Sequence, residues 1–252
     1  GTLAVLEQSD TLAPSGVALE GKPDGDRIRI SGVKRYVSDA ASADLFVVAF
    51  RSGGSAEDIS LAVVEKSQPG VSVQDQPGID LTKRVGILEL HDVTIEKSAV
   101  LGSVGGGWPS LSWLLDVGAA LVTAEMVGAA EGALRLVTEF AREREQFGSP
   151  IGRYQGVKHP LAEMYVDIES FKSLVYFAAW SLDENQAGAA LAVSRAKAIA
   201  SDAFARIGID GVQLHGGVGY TWEYDIQLYL KRSKWARPAF GDADYHYERI
   251  AD

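Results

Sequence analysis

The sequence contains no cysteine among its 252 residues, which excludes disulfides and every metal site built on thiolates. That absence suits a reducing compartment, and the chain is read as cytoplasmic. Basic residues are in short supply: 24 Lys and Arg stand against 34 Asp and Glu, a formal charge of −10. A general nucleic-acid binder needs a basic footprint, so nucleic acid is not an expected partner. No uncharged apolar run reaches the roughly 18 residues of a membrane span, so membrane insertion is not expected either. The opening "GTLAVLEQSDTL" lacks the basic start and long apolar stretch of a secretory signal. It begins at Gly1 and not at a methionine, as a processed chain or a fragment would. Internal repeats and low-complexity segments are absent as well.

What is present is enough apolar sequence for a sizeable core. Hydrophobic residues make up 46% of the chain and charged residues 23%. The character changes near residue 105, which divides the chain into a β domain (1–105) and a helical domain (106–252). The first part carries short β-rich runs such as "DRIRISGVKRYVSDA", "DLFVVAFRS", "ISLAVVEK" and "RVGILELHDVTI". Ile28 and Ile30 alternate with Arg27, Arg29 and Ser31, the period of a half-buried strand. "PDGD" (23–26) is turn chemistry leading into that strand, and the whole reads as a small β-barrel or sandwich.

After the glycine-rich "GSVGGGWPS" (102–110), alanine and leucine dominate and the period becomes helical. One long helix is expected over 111–144, a second over 157–183 and a third over 185–209. A glycine-rich turn (211–219), a shorter helix (223–235) and a final helix at the tail follow. The expected architecture is α+β, a β domain followed by a helical bundle. The five tryptophans are expected in the core or at interfaces.

Three motifs carry chemistry. In "QLHGGVGYT" (213–221), Gly216, Gly217 and Gly219 allow backbone N–H groups to approach a ligand, although glycines between helices also make plain tight turns. No strand precedes the loop, so it is not a Rossmann fingerprint. "REREQFGSPIGRYQGVKHPLAEM" (142–164) places Arg142, Arg144 and Arg153 near an aromatic and a glutamine. Arginines at a helix end are also ordinary dipole complements; beside a glycine cradle they fit a phosphate-bearing ligand. "VKRYVSDA" (33–40) puts Tyr36 and Ser38 on one face of a strand end, as a platform for a flat ring or as plain surface residues. His91, His159, His215 and His246 are scattered without metal-ligand spacing, so no metal is expected.

Together these motifs resemble the acyl-CoA dehydrogenase family, in family order along nearly the whole chain. "VKRYVSDAASADLFVVAFR" is similar to the family's K-x-W-I-T/S-N-A strand of the middle β domain. "QFGSPIGRYQGVKHPLAEM" is similar to its FG-x-P-I…Q…K-x-LA-M segment, and "QLHGGVGYTWEYDIQLYLKR" to its Q-x-x-GG-x-G-Y/F loop. The resemblance implies a β-barrel domain followed by the family's C-terminal four-helix bundle. The family's N-terminal helical domain has no counterpart in these residues. It further implies FAD, held where the β domain, the bundle and a neighbouring subunit meet, in a dimer or tetramer. An acyl-CoA would be the substrate and an electron-transfer protein the acceptor. Carried over residue by residue, Ser38 matches the hydroxyl near flavin N5 and O4, and Tyr36 replaces the tryptophan beside the ring. Arg144 and Phe147 match the contacts to the pyrophosphate and adenine end, with Gln155 in the adjoining segment. Gln213, Gly216 and Gly217 match those to the adenosine half.

In the family a glutamate removes the α proton while the β hydride passes to the flavin. Taken through Lys234 and Gly241, the resemblance puts that glutamate at Phe240, with Asp242 in place of the neighbouring threonine. A minority of the family carries the glutamate on the long helix instead, which here falls near Gly118, with Asp116 the nearest acid. The "T-E-P-x-x-GSD" loop of the family is largely lost in "TLAVLEQSD". The chain therefore resembles the actinobacterial subunits that lack the usual glutamate. Three readings follow: one subunit of a heteromeric dehydrogenase whose partner supplies the base, as in the branch acting on steroid-derived acyl-CoAs; a self-sufficient enzyme using Asp116 or Asp242; or a redox-inactive binding subunit.

Overall fold

The computed structural model describes residues 1–251, which form two compact units, Gly1–Leu114 and the residues from Leu115 onward. The first unit is built on two sheets. One has the order β1 (Thr2–Ala4), β4 (Leu45–Arg51), β5 (Ile59–Glu65). The other has the order β2 (Gly21–Asp24), β3 (Arg27–Ser38), β7 (Val85–Glu96), β6 (Val71–Gln76). Alternation puts Ile28, Ile30, Leu88 and Leu90 from the second sheet into one core with Phe46, Val48, Phe50 and Val64 from the first. The "PDGD" turn is the tip of the β2–β3 hairpin, with Gly25 at φ 63° where a side chain is disfavoured.

The chain enters α1 (Trp108–Glu143), which is long and apolar enough to cross a membrane by length and composition. Its buried positions Leu115, Ala119, Val122, Met126, Ala130, Ala133, Val137 and Ala141 recur every three or four residues, a stripe that from Ala119 to Val137 lines the helical core. A miniature hairpin, β8 (Glu145–Gln146) and β9 (Ser149–Pro150), leads to α2 (Gln155–Asp183) and α3 (Ala189–His215). A short 3₁₀ turn (Gly216–Tyr220) precedes α4 (Ile226–Ala236) and α5 (Ala243–Ala251). Met164, Ile168 and Phe171 of α2 and Val193, Phe204 and Ile207 of α3 complete that core.

One expectation is corrected. The third helix runs on to His215, so the glycine turn is confined to 216–220. Gly208 and Gly211 lie inside α3 because α4 crosses there. A Cβ on Gly208 would meet Ser233 Oγ at 2.8 Å, and one on Gly211 would meet Ile226 Cδ1 at 2.9 Å. None of the five tryptophans is fully buried, and Trp113, Trp180 and Trp222 are more than half exposed.

The β unit is tied by one buried ion pair. Lys34, 0% exposed in β3, donates from Nζ to the Val5 carbonyl (3.0 Å) and to Glu7 Oε1 (2.6 Å). Glu7 Oε1 also accepts the Ala18 and Leu19 N–H groups at 3.2 and 3.1 Å. Burial pushes the Lys34 amine below its usual range while Glu7 pulls it back up. Removing one partner of such a pair leaves a buried charge. Glu7→Ala should therefore cost about 3 kcal/mol or more of unfolding free energy. The double variant Glu7→Gln with Lys34→Met should cost less, and urea titration of the three proteins reads the difference.

Candidate functional site

The strand carrying Tyr36 and Ser38 is irregular at that point. The β3–β7 register shifts between Lys34 and Val37, and Tyr36 takes φ 53°, a left-handed conformation that an aromatic residue adopts at a cost. Tyr36 is 48% exposed and Ser38 half-buried, while Val37 between them is buried. The bulge follows directly on Lys34, so the ion pair that fixes the "LEQ" segment also fixes this strand end. Glu7 and Lys34 went unnoticed in the sequence, because nothing in their spacing marks a pair 27 residues apart.

In the helical unit the candidate residues gather at the end of α1 and the end of α3. Arg144 closes the last turn of α1 through its N–H to the Phe140 carbonyl (2.8 Å). Its side chain is exposed, with no ion pair among the described residues. Phe147, at φ 54°, tips the β8–β9 hairpin and is 93% exposed. The Tyr154 hydroxyl donates to the Gln146 carbonyl at 3.2 Å, and Gln155 opens α2 on the surface. At the other helix end Gln213 is exposed, and Gly216 ends α3 at φ 64°. A Cβ on Gly216 or Gly217 would meet no atom within 4 Å, so both present bare backbone. Gly219 is a glycine for packing, since a Cβ there would lie 2.7 Å from the Val212 carbonyl oxygen.

An aromatic stack brings these two ends together. Phe140 and His215 lie face to face, 4.3 Å between centroids and 20° apart in plane, with Tyr224 edge-on to both. His215 Nδ1 is 2.8 Å from the Gly211 carbonyl, and burial pushes the imidazole below its ordinary value, so it stacks as a neutral ring. Arg144, Phe147, Gly216 and Gly217 are thus carried on helix ends locked to each other. An unpaired guanidinium, an exposed aromatic and bare glycine backbone form a donor set that fits a dinucleotide phosphate.

Among the described residues, neither candidate carboxylate, Asp116 nor Asp242, stands without a partner. The Phe240 ring lies on Gly118, so close that a Cβ there would sit 2.3 Å from Phe240 Cε1. The two positions at which the resemblance allows a base therefore touch, and both are apolar. Asp116 is buried and accepts from Arg249 Nη1 at 2.8 Å. Asp242 Oδ1 accepts the Tyr245 N–H at 2.9 Å in the first turn of α5, a capping contact. His246, fully buried in α5, has Nε2 3.0 Å from the Phe240 carbonyl and Nδ1 3.2 Å from Ser194 Oγ. Burial is the main reason its pKa falls from 6.5 to about 4. Only the unfolded chain takes up the proton between those values, so stability is full above pH 6.5 and lost as pH falls to about 4. The loss should reach about 3 kcal/mol, and His246→Asn should flatten it in urea melts taken across that range.

Comparison with known proteins agrees on one family. The description "Acyl-CoA dehydrogenase, C-terminal domain" matches residues 105–252, and "Acyl-CoA dehydrogenase, middle domain" matches residues 7–93. The chain is 30% identical over 240 residues to "Probable acyl-CoA dehydrogenase YngJ" of Bacillus subtilis, covering 93% of this chain and 63% of that protein. It is 34% identical over 179 residues to "Acyl-CoA dehydrogenase IpdE2" of Mycolicibacterium smegmatis, covering 71% of this chain and 52% of the relative. The butyryl-CoA dehydrogenase structure from Megasphaera elsdenii superposes with a TM-score of 0.92 at 26% identity, over 100% of this chain and 67% of that one. The chain thus spans about half to two thirds of the length of these curated relatives.

Proposed function

The chain belongs to the acyl-CoA dehydrogenase family, and from that premise we propose that it is the flavin-holding subunit of a heteromeric acyl-CoA dehydrogenase whose partner supplies the base. The reaction is α,β-desaturation of an acyl-CoA thioester in the cytoplasm, with an electron-transfer protein as acceptor. The observation that carries the partner is the pairing of Phe240 with Gly118, which leaves neither base position able to accept a proton.

Arg144 would meet the pyrophosphate of FAD, Phe147 its adenine, and the backbone of Gly216 and Gly217 its adenosine half, with Gln155 and Gln213 flanking. Tyr36 and Ser38 would face the ring. When bound, FAD supplies the two-electron acceptor for the β hydride. The rest of the desaturation is loss of the α proton, which needs a carboxylate aimed at the α carbon. In this chain Asp116 is engaged by a guanidinium and Asp242 by a helix N-terminus. Both acids have structural work, which favours a base from outside over a displaced one. Retention of a free arginine beside bare glycines favours flavin binding over a redox-inactive scaffold.

Co-expression with a homologue encoded beside it tests the reading. The complex should carry flavin absorbance and bleach on adding acyl-CoA, and the isolated chain should not bleach. Full bleaching by the isolated chain, or a complex without flavin, overturns it. Asp116→Asn should leave bleaching by the complex in place. Arg144→Ala removes an exposed, unpaired side chain. It should lower flavin affinity roughly tenfold, the worth of one charged hydrogen bond, with no change in melting temperature.

A further inference from the structure

Four buried polar side chains of the helical unit that the proposed function does not use, Ser194, Lys197, Ser201 and His246, are joined by hydrogen bonds beneath one turn, residues 237–242. Lys197 is fully buried on α3, and its Nζ donates to Ser201 Oγ (3.0 Å), the Arg237 carbonyl (2.8 Å) and the Gly241 carbonyl (2.7 Å). Those two carbonyls stand near the two ends of the α4–α5 turn. His246 takes a third, the Phe240 carbonyl, through Nε2 at 3.0 Å, and its Nδ1 accepts from the Ser194 hydroxyl. Between these anchors the backbone is left-handed at two successive residues, Phe240 at φ 57° and Gly241 at φ 97°. With its carbonyl held by His246, residue 240 places its ring on the bare Cα of Gly118.

Among the described residues, no carboxylate hydrogen-bonds the Lys197 amine. Asp242 acts on it through space and Arg237 opposes, while burial drives its pKa down to about 7. An amine placed this way is a costly filler, and an apolar side chain of similar length would occupy the volume without that penalty. What the amine provides is direction: donors aimed at carbonyls that the left-handed turn leaves without helical partners.

We propose that Lys197 and His246 are positioning residues, which together hold the α4–α5 turn left-handed and so set the direction of whatever side chain stands at position 240. The importance of that position rests on the proposed function; the positioning itself does not.

Fluorine NMR on the isolated full chain, labelled with 4-fluorophenylalanine, tests it without flavin or acyl-CoA. The eight phenylalanines give eight resonances, and Phe240→Leu assigns the relevant one. In Lys197→Met that resonance should move towards the solvent-exposed shift of Phe147, while those of Phe171 and Phe204 in the bundle core stay in place. His246→Asn frees one carbonyl of the turn and should shift the same line in the same direction by less. If Lys197→Met does not fold, His246→Asn decides alone. Ser201→Ala, which removes an acceptor outside the turn, should leave the line unmoved. An unshifted Phe240 line in the folded variants, or all eight lines moving together, overturns the proposal. Because no activity is read, that outcome leaves the proposed function standing, and failure of the flavin and bleaching experiments leaves the positioning standing.

Discussion

A lysine taken out of water must have its N–H bonds met, and each unit of this protein is organised around one such requirement. In the β unit, Lys34 draws in the segment around Val5 and Glu7, which in turn collects the N–H groups of Ala18 and Leu19. Three stretches distant in sequence are joined at one amine, immediately before the bulge that carries Tyr36. In the helical unit, Lys197 draws in both ends of a turn some 40 residues further on. Neither lysine is an ordinary core residue, and each is followed in space by a left-handed aromatic: Tyr36 in one unit, Phe240 in the other. Strain of that kind persists only where the surroundings over-determine it, and here the over-determining groups are named.

The regular elements were legible because their information is local. Ile28 and Ile30 announce a strand, and the alanine-rich period of α1 announces a helix whose buried stripe keeps its spacing to Ala141. The motifs at 142–164 and 213–221 were legible as marks of the family, which the matched middle and C-terminal domains show. What failed was the reading of Gly211 as the start of the turn, since α3 runs on to His215. Gly208 and Gly211 carry the same letter as Gly216, yet two are pressed against α4 and one ends a helix. Only the neighbour that a Cβ would strike separates these cases, and that neighbour lies in another helix.

The parts of the site that were not legible depend on contacts between distant residues. Phe140 and His215 are 75 positions apart, yet their stack is what brings the arginine end of α1 to the glycine end of α3. Asp116 read as a displaced base because an isolated acid on a helix has no visible partner. Arg249, 133 residues later, is that partner. Asp242 read as a second candidate, and its oxygen is spent on the first turn of α5. In each case the acid is visible in the sequence and its hydrogen-bond partner is not.

Phe240 differs, because there the sequence and the structure bear on the same point. A carboxylate held in a dry position is costly, and a dehydrogenase that supplies its own base accepts that cost for the sake of proton transfer. A phenylalanine in the same place is stabilising: Phe240 is partly buried against the helical core and gains a share of the roughly 1.5–3 kcal/mol that full burial of such a side chain is worth. The exchange has a second condition: the ring needs room, and Gly118 provides it by having no side chain at all. The two positions are therefore constrained as a pair. A side chain on Gly118 would evict the ring, and a carboxylate at 240 would lie on apolar backbone with no donor from α1 to meet it. On the proposed reading, a subunit relieved of the base keeps the turn that aimed it, and fills the space with the one class of side chain that gains from being dry.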